Sequence, residues 1–308
     1  MAIVDLRQIS SRQLEPLFEE EARHWREELQ WDYRPSLDLV KKFLDARSLS
    51  GYADLEEGKP AGYGFYVLED HKGLMGGLYV SARYAQAGIG QRIFSEMFAT
   101  MRGLPRIERI EAQIIPFGCA LDESLAAHGF RQFTRQFMLL PLTGAPAEAK
   151  PVSEGLRLER WQDRYFDPCA RLIQLAYTDH VDGEINDQYR TEAGALKFLK
   201  NIILLPGCGQ FQADASFLLH AAGGLIGVVL TSAVSRGVGH TTQICVLPGY
   251  QGQGLGRLLM EASVRALRSL GYHALSLTVT SANAHAVELY EHLGFRTIKA
   301  FAAGVWLP

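Results

Sequence analysis

The run Ile244-Cys245-Val246-Leu247-Pro248-Gly249-Tyr250-Gln251-Gly252-Gln253-Gly254-Leu255-Gly256-Arg257-Leu258-Leu259-Met260 sets the reading of the whole chain. It opens as an apolar stretch of β character and breaks at Pro248-Gly249. It then crosses a glycine-rich turn and enters helical spacing, with apolar residues at Leu255, Leu258, Leu259, Ala262 and Ala266. Strand, glycine turn and helix together aim several backbone N–H groups and a helix N-terminus at an anion. Glycines at 252, 254 and 256 let a bulky group approach the main chain without meeting a Cβ. The stretch reads as a phosphate cradle.

The kind of phosphate follows from what the turn lacks. A dinucleotide fingerprint begun at Gly254 needs glycine where Leu259 stands, and one begun at Gly252 needs glycine where Arg257 stands. No acidic residue lies about twenty positions on to take a ribose, and no G-K-[ST] follows the glycines. Gln251-Gly252-Gln253-Gly254-Leu255-Gly256 instead resembles the [QR]-x-x-G-x-[GA] loop of the GNAT acyltransferases. Downstream, Asn283-Ala284-His285-Ala286-Val287-Glu288-Leu289-Tyr290, closing on Leu293-Gly294-Phe295, is similar to that family's second signature.

The resemblance implies a set of roles. Gln251, Gly252, Gln253, Gly254, Leu255, Gly256 and Arg257 would grip the pyrophosphate of acetyl-CoA, the acyl donor, with Cys245 and Val246 bordering the coenzyme and Asn283 supporting its arm. A backbone N–H near Val246, at the bulge of the preceding strand, would meet the developing oxyanion. Tyr290 would protonate the leaving thiolate. The base would stand eleven residues before Gln251, at His240, an imidazole suited to titration near neutral pH; a hairpin end with an exposed histidine is the competing reading of that position. The Cys245 thiol itself reads as core, since direct transfer needs no acyl-enzyme, and no metal is expected.

The totals narrow the class. With 308 residues and 47% apolar composition the chain can fill two cores. Its 31 basic and 34 acidic side chains fall as 18 and 21 in residues 1–150 and as 13 of each beyond. Neither half is basic, which argues against a nucleic-acid partner. Cys119, Cys169, Cys208 and Cys245 are scattered without C-x-x-C spacing and read as thiols of a reducing compartment. The amino terminus lacks a basic segment followed by an apolar run, and nothing reaches 18 unbroken apolar residues, so the expectation is a cytoplasmic protein without a membrane span.

Taken in order, the chain reads as a strand at 3–9, helices over 13–29 and from Ser36, and a meander of strands at 49–55, 60–69 and 73–80. The aromatic connection Trp31-Asp32-Tyr33 joins the two helices. Tyr84-Ala85-Gln86-Ala87-Gly88-Ile89-Gly90 then opens a helix. Tyr84, Gly88 and Gly90 stand 166 positions before Tyr250, Gly254 and Gly256, and Gly129-Phe130 stand 165 before Gly294-Phe295. Like features at one spacing mark an internal repeat. The expected fold is therefore α+β: a degenerate GNAT-like domain over 1–141, a proline-rich linker over 142–154 and a catalytic GNAT domain over 155–308, paired within the chain, with a homodimer as a further option.

In the second copy, strands are expected at 156–161, 215–220, 224–233 and 240–246, and helices at 166–177 and 191–203. Between those helices lies an acidic loop, Asp179 to Asp187, which the resemblance puts on the acceptor side, where it would attract a cationic amine; a solvated charged face is the competing reading. The first copy lacks the chemistry: Ala85 stands for Gln251, Leu125 for Tyr290 and Gly118 for Asn283. The function this implies is transfer of an acetyl group from acetyl-CoA to the amine of a small molecule in a ternary complex. A non-catalytic acyl-CoA sensor is the alternative.

Overall fold

The computed structural model describes residues 2–144 and 153–308, so most of the linker expected at 142–154 lies outside the described residues. The chain divides into two compact units, Met1–Arg135 with Phe301–Pro308, and Gln136–Ala300. Their limits differ from a division at the linker because two strands pass from one unit to the other.

In the first unit, β1 (Ala2–Asp5) precedes helices α1 (Ser11–Leu29) and α2 (Arg34–Asp45). Strands β2 (Ser50–Glu56), β3 (Lys59–Glu69) and β4 (Lys72–Val80) form an antiparallel meander. Glu57 and Gly58 both take positive φ, the pair that a two-residue hairpin turn of matching twist needs. Helix α3 (Ile89–Arg102) crosses over to β5 (Arg109–Ala112), which runs parallel to β4. Ile89, Ile93, Phe94, Met97, Phe98 and Met101 recur at helical spacing on α3 and fill the core, each worth about 1.5–3 kcal/mol of burial. The short α4 (Asp122–Ala127) leads to β6 (Arg131–Pro141), whose residues from Gln136 onward belong to the second unit.

The second unit repeats the plan. It runs through β7 (Arg157–Arg160), α5 (Phe166–Ala176), α6 (Val181–Ile185), α7 (Glu192–Leu204) and β8 (Gln210–Phe211). Strands β9 (Phe217–Ala221), β10 (Gly224–Ser235) and β11 (Val238–Val246) form its meander, and α8 (Leu255–Ser269) crosses to β12 (Ala274–Thr280), parallel to β11. Helix α9 (Ala284–His292) and β13 (Arg296–Trp306) close the chain. From Phe301 onward β13 belongs to the first unit, where Gly304, Val305 and Trp306 pair antiparallel with Ala112, Glu111 and Ile110 of β5. Met138, Leu140 and Leu142 conversely join Leu255, Leu259 and Met260 in the core of the second unit.

The mixed α/β architecture, with mostly antiparallel strands and one parallel crossover in each copy, is the fold class read from the sequence. Gly88 and Gly254 take φ of 69° and 76° as N-caps of α3 and α8, and each follows a 3-10 turn, Ala82–Tyr84 and Pro248–Tyr250. One expected loop is ordered differently. Residues 181–185 of the acidic stretch form α6, capped by the His180 side chain, which accepts from the Asp182 N–H, and pinned by buried Ile185. Trp25, Trp31 and Tyr33 pack on one another, Trp25 stacking on Tyr33 at 4.2 Å and 11°.

Candidate active site

β11 and β12 are hydrogen-bonded only from Val238 to Thr241 against Ala274 to Leu277. Beyond that point no pairing between them is found among the described residues, so one side of β11 is open over its last residues. The alternation of an antiparallel ladder says which groups face the opening. Leu247 N–H donates to Ile226 C=O at 2.9 Å, and Val246 opposes Gly227 in the adjacent, non-bonded pair. The N–H and C=O of Val246 therefore point away from β10 and toward the open side. Its carbonyl is taken by the Gln251 side-chain amide at 3.0 Å, which folds the glycine loop back on the strand end. Of the two register irregularities between β10 and β11, the one nearer the strand end falls at Thr242, four residues before Val246, rather than at Val246 itself.

The loop past Val246 has the shape of an anion cradle. Gly252 and Gly254 have φ of 74° and 76°, and a Cβ at either would meet nothing within 4 Å. Their requirement is conformational, and the space above them is open to a ligand. Gly254 caps a 15-residue helix whose first N–H groups have no partners within the helix. Leu255 is buried as the anchor of that turn, Gly256 lies beside Leu289, and Arg257 is exposed, paired with Glu261 at 3.0 Å. Gln253 reaches back toward the Gly249 carbonyl at 3.5 Å. This arrangement fits a pyrophosphate. Among the described residues no group of three metal-ligating side chains occurs.

Across the opening stand the residues of the second signature. Asn283 caps α9, its Oδ1 accepting from Ala286 N–H, and its Nδ2 lies 3.3 Å from His180 Nε2. Tyr290 is buried in the same apolar cluster as Val246, against Phe295 at 5.7 Å. Burial, and then the charge of Asp182, push its hydroxyl well above the usual tyrosine range. Asp182 accepts from Thr280 Oγ1 at the end of β12, and His180 Nδ1, which accepts from the Asp182 N–H, lies 3.6 Å from its carboxyl group. Tyr177 completes the wall: its hydroxyl lies 3.3 Å from the Ile244 carbonyl and 3.4 Å from Gln243 Oε1, and its ring packs on Tyr189.

The structure thus groups Val246, the glycine loop, Asn283 and Tyr290, and adds Asp182 and His180 from the acidic stretch and Tyr177 from the end of α5. His240 stands apart. It lies in the closed part of β11, six residues and roughly 20 Å of strand before Val246. Its ring is buried beside Phe137, and Nδ1 lies 2.9 Å from Ser276 Oγ. Since the Ser276 hydroxyl donates to Gly239 C=O, His240 Nδ1 is the donor of that pair. Cys245 faces Cys169 in the core under α5, and burial pushes its thiol up to about 12.

The family model for "Acetyltransferase (GNAT) family" matches residues 5–130 and again 177–295. The chain belongs to the acetyltransferase (GNAT) family. The GNAT match falls on both copies of the repeat. A mycothiol acetyltransferase of Thermobispora bispora is 29% identical over 82% of this chain and 78% of that protein. Another, of Propionibacterium freudenreichii, is 29% identical over 52% of this chain and 49% of that protein, about half of it. A solved tandem GNAT protein from the clavulanic acid biosynthesis pathway superposes with a TM-score of 0.61 at 14% identity, covering 99% of this chain and 98% of that one. This GNAT chain therefore shares the tandem fold. No helix among its described residues is long and apolar enough to cross a membrane.

Proposed function

We propose that the second unit transfers an acetyl group from acetyl-CoA to a primary amine of a small molecule by direct attack. The observation that carries this reading is the Val246 N–H, held on the unpaired side of β11 between the glycine loop and Tyr290. A fixed donor at that place stabilises charge as it develops on a carbonyl oxygen. Residues 251–257 and Asn283 would hold the coenzyme, which supplies an activated acyl carbon. Tyr290, kept protonated by its surroundings, would give its proton to the departing sulfur. An acceptor amine arrives as an ammonium without a lone pair, and Asp182, beside Thr280 and His180, would hold it and accept the proton it loses before attack. His240, buried against Ser276, is the weaker candidate for the base.

The names of the relatives support a small thiol-bearing amine related to mycothiol as one acceptor to try. The test is thiol release from acetyl-CoA across a panel of primary amines that includes desacetylated mycothiol. Amine-dependent release supports transfer. Coenzyme binding without release for any amine would favour a sensor instead.

A further inference from the structure

The family model covers both copies, but the two clefts end differently. In the first unit, β4 pairs with β5 from Lys72–Arg109 to Met75–Ala112. Val80 stands there where Val246 stands in the second copy, and the same ladder argument gives its direction. Ser81 N–H donates to Ala61 C=O at 3.0 Å, and Val80 opposes Gly62 in the adjacent non-bonded pair. The Val80 N–H thus points to the β5 side, as that of Val246 points to the β12 side. It does not face an opening. Phe117 C=O accepts it at 3.4 Å, and Tyr79 and Phe117 form a parallel bridge.

The closure is tight. Phe117 is buried, and Gly118, at φ 69°, passes so close that a Cβ there would lie 1.9 Å from the Val80 carbonyl oxygen. Cys119 sits against Gly90, where an added Cβ would come within 2.7 Å of it. In the second copy the matching stretch is Asn283-Ala284, which starts a helix, and among the described residues no main-chain hydrogen bond joins it to Val246. Arg92 adds to the difference: its guanidinium pairs with Asp54 and Glu56 and donates to Ala87 C=O in the loop itself.

We propose that the first unit takes no acyl-CoA, because the strap Phe117-Gly118-Cys119 lies in its cleft as a built-in peptide ligand. The inference rests on the reading of the open side of β11 as the acyl-CoA cleft. It accounts for a unit that keeps the fold and its two loop glycines, Gly88 and Gly90, without Asn or Tyr partners.

Amide hydrogen exchange on the whole chain, with and without coenzyme A, separates the two readings. The Val80 amide should be protected in both states, and the Val246 amide only when coenzyme A is present. Calorimetry should count one coenzyme A per chain. If neither amide responds and no coenzyme binds, the reading of the second unit fails, while protection of Val80 still reports on the strap. Gly118→Ala forces a Cβ onto the Val80 carbonyl, so Val80 should exchange about tenfold faster or more in a protein that still binds one coenzyme A. Two bound coenzymes, coenzyme-dependent protection of Val80, or an unchanged Val80 rate in Gly118→Ala would each overturn the proposal.

Discussion

Tyr290 is a tyrosine held as its neutral acid by position, buried in an apolar cluster with a carboxylate nearby. Tyr290→Phe keeps the ring and its packing and removes the proton. Turnover should fall by about 10²–10⁴ while coenzyme A affinity by calorimetry changes little. Asp182→Asn should raise the KM for a cationic amine and lower kcat, and His240→Gln should leave both near wild type. A fall in kcat with His240→Gln alone, with loss of the acidic limb of the pH–rate profile, would return the base to the strand. A second carboxyl matters for stability. Glu21 on α1 is buried, accepting from the Tyr63 hydroxyl and Trp25 Nε1, and burial pushes it up to about 7. Its folded value exceeds the roughly 4.3 of an unfolded glutamate, so the folded state holds the proton more tightly. Stability from this site is full below about pH 4 and is lost as pH rises through 7, by at most about 1.4 kcal/mol per unit. The thermal midpoint measured between pH 4.5 and 7.5 should therefore fall more steeply in the wild type than in Glu21→Gln. Tyr290 and Asn283 were legible in the sequence because a helix fixes their spacing. Asp182 and His180 were visible only as part of a charged stretch, since their approach to Thr280 and Asn283 spans about a hundred residues.

At the scale of elements, the two glycine turns were legible because left-handed φ before a helix restricts the residue type. The same geometry with different surroundings gives a comparison. Gly254→Asp places a carboxylate at the mouth of α8 and should weaken coenzyme A binding by about 100-fold or more, with a thermal shift of only a few degrees. Gly88→Asp, in the closed copy, should leave both coenzyme affinity and amine acetylation near wild type. Loss of acetylation in a folded Gly88→Asp protein would show that the first turn takes part. The strap at Phe117 was not legible, because a single main-chain hydrogen bond between Val80 and Phe117 leaves no mark on side-chain pattern. The helical turn of α6 escaped for a related reason: five residues are too short for an apolar period to register.

For the whole molecule, the repeat and the fold class were plain from the equal spacing of like features. The exchange of strand ends was not, because β6 and β13 are each one unbroken strand and neither carries a sequence signal for where its partners change. Removing residues 301–308 should damage the first unit, although they lie at the far end of the chain. Trp306 packs edge-on to Phe98 at 5.5 Å, and Ala302 belongs to the same core. Limited proteolysis of the truncated protein should cut within residues 2–135 while leaving 153–300 resistant; an intact first half would contradict this.

The pairing of Trp306 with Ile110 also orders events in time. The partners are roughly 200 residues apart, and contacts of that separation form late. A ribosome makes the amino-terminal half first, and at about 5–20 residues per second tens of seconds or less pass before its last strand exists. During that interval β5 carries an unsatisfied edge, the kind of surface that recruits chaperones or stray strands. Birth order and completion order are therefore reversed in this protein: the half that is synthesised first is finished last.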